Sequence, residues 1–248
     1  MKVLSLFDGM SCGQIALDQL GIPVETYYAS EIDKYAIQVT QANYPNTIQV
    51  GDVCNLNSKD FADVDLIMGG SPCQGFSFAG KQLAFDDPRS ALFFEFIRLL
   101  KAIKPRYFLL ENVRMKKEFL DIISQEVSKC YPEMAFGIEP LLINSSLLSA
   151  QSRQRYYWTN IPNIQQPEDR GIVLRDILEN DVGNELSDKA IVDKPKQVGE
   201  ALNICPNFEQ GRRVYSIDGK SPTLTTCQGG NKEPKVAIVN KKVNLKKY

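Results

Sequence analysis

The first 113 residues alternate short apolar runs with segments of helical spacing, and this alternation restricts the possible fold most. Runs of this kind bounded by turn residues are typical of buried strands. The predicted strands cover residues 2–7, 24–30, 47–50, 64–68 and 107–110, and the predicted helices cover 14–20, 34–43, 88–103 and 116–130. Strands that alternate with helices pair in parallel. The sequence therefore predicts an α/β fold with a doubly wound, mostly parallel sheet.

Each predicted strand is followed by a polar residue at its carboxyl end. In a parallel sheet, ligands bind beyond these ends, so the residues should face one crevice. They are Asp8, Glu31, Asp52, Cys73 and Glu111. Glu31 follows the glycine turn by the distance at which such folds bind ribose hydroxyls, although it or Asp33 could instead cap the next helix. Asp52 is a candidate acceptor for an adenine amino group.

Cys73 stands on a loop that leaves the strand ending at Met68. Gly69 and Gly70 interrupt the strand, and Pro72 stiffens the backbone just before the thiol. Free cysteines are mostly small buried apolar side chains, and that alternative remains, but the flanking residues favour a thiol presented for chemistry. The chain has no histidine, which excludes Ser-His-Asp and Cys-His hydrolysis and histidine-ligated metal sites.

The composition of the chain restricts its cellular compartment and the charge of its possible partners. Six scattered cysteines show no paired spacing, which argues against disulfides and zinc and favours a reducing cytoplasm. No apolar run approaches the roughly 18 residues of a membrane span. The net charge is −1, so a polyanionic partner would need a local positive surface.

The second part of the chain begins with two further strand-like runs, residues 134–143 and 155–161, which could form an antiparallel closing pair. Between them, Arg153 and Arg155 alternate, so both would point to one face of an extended segment and suit a phosphate or a base edge. Beyond Pro162, turn residues become denser and periodicity fades. The predicted domains are therefore 1–161 and a loop-rich 162–248.

These residues, in this order, resemble the successive motifs of the carbon-5 cytosine DNA methyltransferases, which use S-adenosylmethionine. The motif residues are Phe7-Asp8-Gly9, Glu31, Asp52, Ser71 to Ser77, Glu111-Asn112-Val113 and Gln151 to Arg155. The resemblance implies that the cofactor is bound by Phe7, Asp8, Gly9, Glu31, Asp52 and Pro72. It also implies that Cys73 adds to carbon 6 of a flipped cytosine while Glu111 protonates ring nitrogen 3. Arg153 or Arg155 would favour the Cys73 thiolate, and burial would keep a proton on Glu111.

The resemblance also implies a substrate and partners. Double-stranded DNA would be methylated in the cytoplasm of a bacterium, as part of a restriction-modification system. The closing segments of the family are not found in this sequence, so residues 162–248 are expected to be a partial target-recognition region completed by a second polypeptide. Two alternatives remain: an RNA cytosine methyltransferase of the same fold, and a non-catalytic, methyltransferase-like binding module.

Overall fold

A computed structural model describes residues 1–72, 88–134, 136–178, 197–200, 213–223 and 235–237. These residues belong to two compact units. The first unit comprises Met1–Ile143 and Arg155–Ile164, and the second comprises Asn144–Gln154 and Gln165–Tyr248. The predicted functional division after residue 161 stays a prediction.

The chain forms a seven-stranded sheet in the order β3-β2-β1-β4-β5-β7-β6. Its strands are β1 (Lys2–Leu6), β2 (Thr26–Ser30), β3 (Ile48–Gln49), β4 (Leu66–Gly69), β5 (Tyr107–Val113), β6 (Leu141–Asn144) and β7 (Gln154–Thr159). Strands β1 to β5 pair in parallel, whereas β7 runs antiparallel to β5. The predicted α/β fold with a mostly parallel sheet is confirmed.

Four helices connect these strands: α1 (Cys12–Gln19), α2 (Lys34–Asn43), α3 (Pro88–Ile103) and α4 (Lys117–Ser128). The main core lies on the face of the sheet that contacts α3 and α4, through residues such as Phe93, Phe108 and Phe119. A smaller core on the other face includes Leu17 and Met68, with Leu109 against it. Side chains alternate along a strand, so Glu111 shares the face of Leu109, whereas the next residue of β5 turns toward the main core.

The strand predicted over residues 134–143 is wrong for most of its length, because β6 begins only at Leu141. Gly137 adopts a positive φ of 69°, and its N–H donates to the carbonyl of Met134 in a turn. A left-handed residue of this kind interrupts an extended backbone. In the sheet, β6 lies beside β7 at the edge.

The second unit contains a three-stranded sheet in the order β10-β9-β8. Its strands are β8 (Gln197–Glu200), β9 (Arg213–Ser216) and β10 (Lys235–Ala237). A small core unites Ala150, Leu174 and Tyr215. Throughout the residues that the structure describes, no helix is both long and apolar enough to cross a bilayer.

Candidate active site

The turn after β1 has an unusual backbone conformation. Phe7, Gly9 and Ser11 all have positive φ values, of 56°, 61° and 58°. This conformation costs roughly 1–2 kcal/mol for a residue with a Cβ, so other contacts must hold the turn. The N–H of Gly9 donates to Oε2 of Glu31 at 2.8 Å. The turn is therefore tied to the carboxyl end of β2.

Asp8 makes its contacts inside the protein. Its carboxylate accepts hydrogen bonds from the hydroxyl of Tyr27, at 2.7 Å, and from the hydroxyl of Ser11. Burial and the nearby Asp8 charge raise the pKa of Tyr27 well above its usual value, so this phenol is a donor at neutral pH. Asp8 thus fixes the turn, and its predicted contact with the cofactor stays a prediction.

Glu31 is held by backbone groups on both carboxylate oxygens. Oε1 accepts from the N–H groups of Ile32 and Asp33, each at 2.8 Å, and Oε2 accepts from Gly9. A carboxylate offers about four lone-pair positions, which leaves one on Oε2 for a ligand. The N-cap of α2 is Asp33, which accepts from the N–H groups of Tyr35 and Ala36. The capping alternative therefore applies to Asp33.

A cavity of about 150 Å³ brings four of the predicted cofactor residues together. Its lining includes Phe7, Glu31, Asp52 and Pro72, and apolar Ile32 also contributes. An aromatic ring and an aliphatic wall suit the faces of an adenine, and two carboxylates suit hydroxyl and amino donors. The residues therefore fit the adenosyl part of S-adenosylmethionine. The volume is smaller than a complete small-molecule site, so they would enclose only part of the ligand.

Glu111, near the carboxyl end of β5, is paired with an arginine of the neighbouring strand. Nε of Arg155, on β7, lies 2.8 Å from Oε1 of Glu111. The Arg155 side chain is 13% exposed and the Glu111 side chain is 34% exposed. The two groups therefore form a partly buried pair that joins β5 to β7. The expectation that burial would keep a proton on Glu111 stays a prediction, and so does the expected action of Arg155 on the Cys73 thiolate.

Two residues beside the predicted catalytic residues make contacts that their sequence context does not indicate. A Cβ on Gly70 would lie 2.7 Å from Oε2 of Glu111, so a side chain at this position would require the carboxylate to shift. The side chain of Asn112, only 1% exposed, donates to the hydroxyl of Ser71 at 3.4 Å. Together they connect the end of β5 to the segment that leads to Cys73. Cys73 itself lies outside the described residues.

Replacing Gly70 with alanine should slow any reaction that uses Glu111 by about tenfold or more, because small displacements of catalytic groups have effects of this size. The new methyl group would push the carboxylate away from its position beside Arg155. A matched control is Gly21→Ala, which strains a positive φ but has open space around its Cβ. Turnover and thermal unfolding should be measured for both. Full turnover by Gly70→Ala would contradict the prediction.

Arg153 lies just before β7 and belongs to the second unit. Its N–H donates to Oδ1 of Asn144 at 2.9 Å, and its carbonyl accepts from the N–H of Ser145 at 3.0 Å. Arg155 is within the strand and belongs to the first unit. The predicted roles of Arg153 and Arg155, toward the Cys73 thiolate or toward a phosphate or base edge, stay predictions.

The parallel sheet with an antiparallel strand beside β5, and with acidic side chains at the strand ends, is the Rossmann-like fold of methyltransferases. Among solved structures, the Dnmt2 methyltransferase of S. pombe superposes with a TM-score of 0.65 at 18% identity, covering 98% of this chain and 77% of that one. A mutant of Spodoptera frugiperda DNMT2 gives a TM-score of 0.61 at 23% identity, covering 92% and 70%. At these identities the likeness establishes the fold.

The family model for C-5 cytosine-specific DNA methylases matches residues 1–243, and the chain belongs to this family. It is 30% identical over 249 residues to the type II methyltransferase M.HhaI of Haemophilus parahaemolyticus, covering 93% of this chain and 75% of M.HhaI. It is also 30% identical over 297 residues to the orphan methyltransferase M.Rho11sI of Bacillus phage rho11s, covering 93% of this chain and 58% of the relative. It matches type II methyltransferase M.NgoBV of Neisseria gonorrhoeae at 42% identity, over 46% of this chain and 28% of the relative.

The chain thus spans less than two thirds of M.Rho11sI and M.NgoBV. Members of the family use S-adenosylmethionine as methyl donor. The predicted family and cofactor are confirmed. The predicted enzyme class is also confirmed, as the class to which the chain's relatives belong.

Proposed function

We propose that this chain methylates carbon 5 of a cytosine flipped out of double-stranded DNA. The observation that carries the proposal is the position of Glu111, which meets Arg155 on one side and Gly70 on the other. Cys73 follows Gly70 by only three residues in the sequence, and Gly70 lies beside the Glu111 carboxylate. Nucleophile and proton donor are the two groups that addition to a pyrimidine ring requires.

In the proposed reaction the Cys73 thiolate forms a bond to carbon 6, and Glu111 gives a proton to ring nitrogen 3. Carbon 5 then carries the electron pair that attacks the methyl group, which S-adenosylmethionine supplies when bound. Loss of the carbon 5 proton to a base expels the Cys73 thiolate, and the nitrogen 3 proton returns to Glu111, which restores the neutral ring and the enzyme. Arg155 holds the Glu111 carboxyl group in place during these steps, and Arg153 is proposed to act on the thiolate or on DNA. Extrusion of the base costs a few kcal/mol, which contacts with DNA must supply.

Glu31→Gln should weaken S-adenosylmethionine binding by about tenfold or more, because the lost hydrogen bonds involve a charged acceptor. An amide NH₂ cannot accept from Gly9, so the turn above the cavity would loosen as well. Titration calorimetry with the cofactor measures this directly. The matched control is Asp33→Asn, which removes a neighbouring charge but preserves a good N-cap. Equal losses in the two variants would show that only charge matters.

Methylation of defined DNA duplexes and matched RNA by the purified chain tests the proposed substrate. We expect transfer to cytosine in DNA at a specific sequence, as a restriction-modification methyltransferase would show. Transfer to RNA alone would favour the alternative RNA enzyme. Binding of nucleic acid with no methyl transfer, even after a second polypeptide has been added, would favour the non-catalytic module.

We further propose that activity requires a second polypeptide, which completes the cofactor cavity and the recognition region. What supports this is the open side of the cavity, where Ile32 is 75% exposed although it lines the cavity. Apolar Tyr35, just beyond it on α2, is also exposed. Full activity of the purified chain alone would overturn this proposal, whereas activity that appears only on mixing with the second chain would support it. A cytoplasmic location stays a prediction.

A further inference from the structure

Lys220, in the second unit, uses all the donors of its ammonium group on backbone carbonyls. It donates to the carbonyl of Ser146, to that of Ser149 at 3.2 Å and to that of Ile172 at 2.8 Å. An ammonium group has three donors, so none remains for solvent or for a ligand. The carboxylate of Asp169 lies 3.8 Å away, and the Lys220 side chain is only 22% exposed. The Lys220 ammonium group is therefore bonded inside the protein, unlike a lysine whose charge is solvated at the surface.

The carbonyl partners come from two separate segments of the unit, residues 145–152 and 170–176. The turn after β9 lies between them and bonds to both through its own backbone. The N–H of Ser221 donates to Ala150, and the N–H of Leu174 donates to the carbonyl of Gly219 at 2.9 Å. The N–H of Ser152 donates to the carbonyl of Ser221 at 2.8 Å. Lys220 is thus the polar centre of an assembly of three segments.

One of these segments carries Arg153. The backbone of Arg153 is bonded through both its N–H and its carbonyl, as described above, and the preceding carbonyl, that of Ser152, accepts from the hydroxyl of Thr223 at 2.8 Å. Removing the ammonium group would leave the Ser146 and Ser149 carbonyls without this donor. The loop that leads to Arg153 would then lose its fixed conformation.

We propose that Lys220 is a positioning residue for Arg153, acting through the backbone of residues 146–152 rather than by touching the substrate. The inference rests on the proposed methyltransferase function, since Arg153 has a catalytic role only there. It predicts that Lys220 matters for the rate of methyl transfer and not for cofactor affinity, because the cofactor residues belong to the first unit. No feature of the sequence around Lys220 indicates this role, because the lysine sits in a loop with ordinary turn residues.

The test is a series of variants in which the number of donors changes at one position. Lys220→Met removes every donor, Lys220→Gln keeps two, and Lys220→Arg keeps a cation with several. Lys59→Met, at an exposed lysine of the first unit, is the matched control. Hydrogen exchange of residues 145–153, the dissociation constant for S-adenosylmethionine and kcat should be measured for each, with the second polypeptide present if activity needs it.

We expect Lys220→Met to speed exchange in residues 145–153 and to lower kcat by about tenfold or more, with cofactor affinity unchanged. Lys220→Arg should recover most of the rate, and Lys220→Gln should fall between. If Lys220→Met does not fold, the Gln and Arg variants are compared with wild type instead. Unchanged exchange, or faster exchange with wild-type kcat, would overturn the inference. An inactive wild-type enzyme would instead refute the proposed function, and the two failures are therefore distinct.

Discussion

Cys73→Ala is expected to abolish methyl transfer, with a loss of at least about 10⁴-fold, while cofactor and DNA binding remain within a few-fold of wild type. Losses of this size follow removal of a covalent nucleophile elsewhere. The thiol acts only in the chemical step, and alanine is a small residue that disturbs packing little. Without histidine in the chain, no Cys-His pair can replace it. Single-turnover methylation and DNA binding measured side by side separate the two effects.

The control for Cys73→Ala is Cys12→Ala, which removes an exposed thiol at the first position of α1. DNA carrying 5-fluorocytosine at the target should trap a covalent complex with wild type and with Cys12→Ala, because fluorine cannot leave as a proton. Cys73→Ala should form none. Mapping of the adduct to another cysteine, or turnover of Cys73→Ala within tenfold of wild type, would contradict the assignment.

The sheet could be predicted from the sequence because its signal is local and repeated. The apolar runs that became β1, β2 and β3 are each followed within a few residues by an acidic side chain, and some helices between strands have a clear cap, such as Asp33 before α2. The strand around β6 could not be predicted well, because apolar residues alternate there although Gly137 turns the backbone. Periodicity reports which side chains could be buried, and it does not report where the backbone bends.

The site could be predicted residue by residue but not contact by contact. Glu31 was placed at the end of β2, yet the three backbone N–H groups that fix it depend on the turn after β1. The sequence indicates only that Gly70 interrupts the strand, whereas in the structure its lack of a side chain makes room for Glu111. These contacts join segments far apart in the chain, and a local pattern cannot identify the partner.

Arg155 shows most clearly that a local sequence pattern cannot identify the partner of a side chain. The alternation of Arg153 and Arg155 predicts a common face only if both are in one extended strand, but β7 begins at Gln154. The antiparallel pairing of β7 with β5 then sets Val113 opposite Arg155 and brings the guanidinium to Glu111. The sequence shows that the arginine is available, whereas the sheet topology selects the carboxylate as its partner.

Glu111→Gln should lower the rate of methyl transfer by at least 10²-fold, the lower end for a general acid–base group. Glutamine retains the shape of the side chain but has no carboxyl proton to give, and it cannot form the ion pair with Arg155. Glu118→Gln, at an exposed position in the first turn of α4, is the control and should be close to wild type. An unchanged rate in Glu111→Gln would place the proton donor elsewhere.

The same variant decides what Arg155 does, because the structure and the sequence pair this arginine with different groups. If Arg155 acts by holding Glu111, then Arg155→Gln should slow the wild-type enzyme but have little further effect once Glu111 is glutamine. Residues that act through one another show such non-additive effects, whereas independent ones multiply. Rates for the two single variants and the double variant complete the cycle. Fully multiplicative losses would mean that Arg155 acts on another group, for which the thiol of Cys73 is the candidate that the sequence provides.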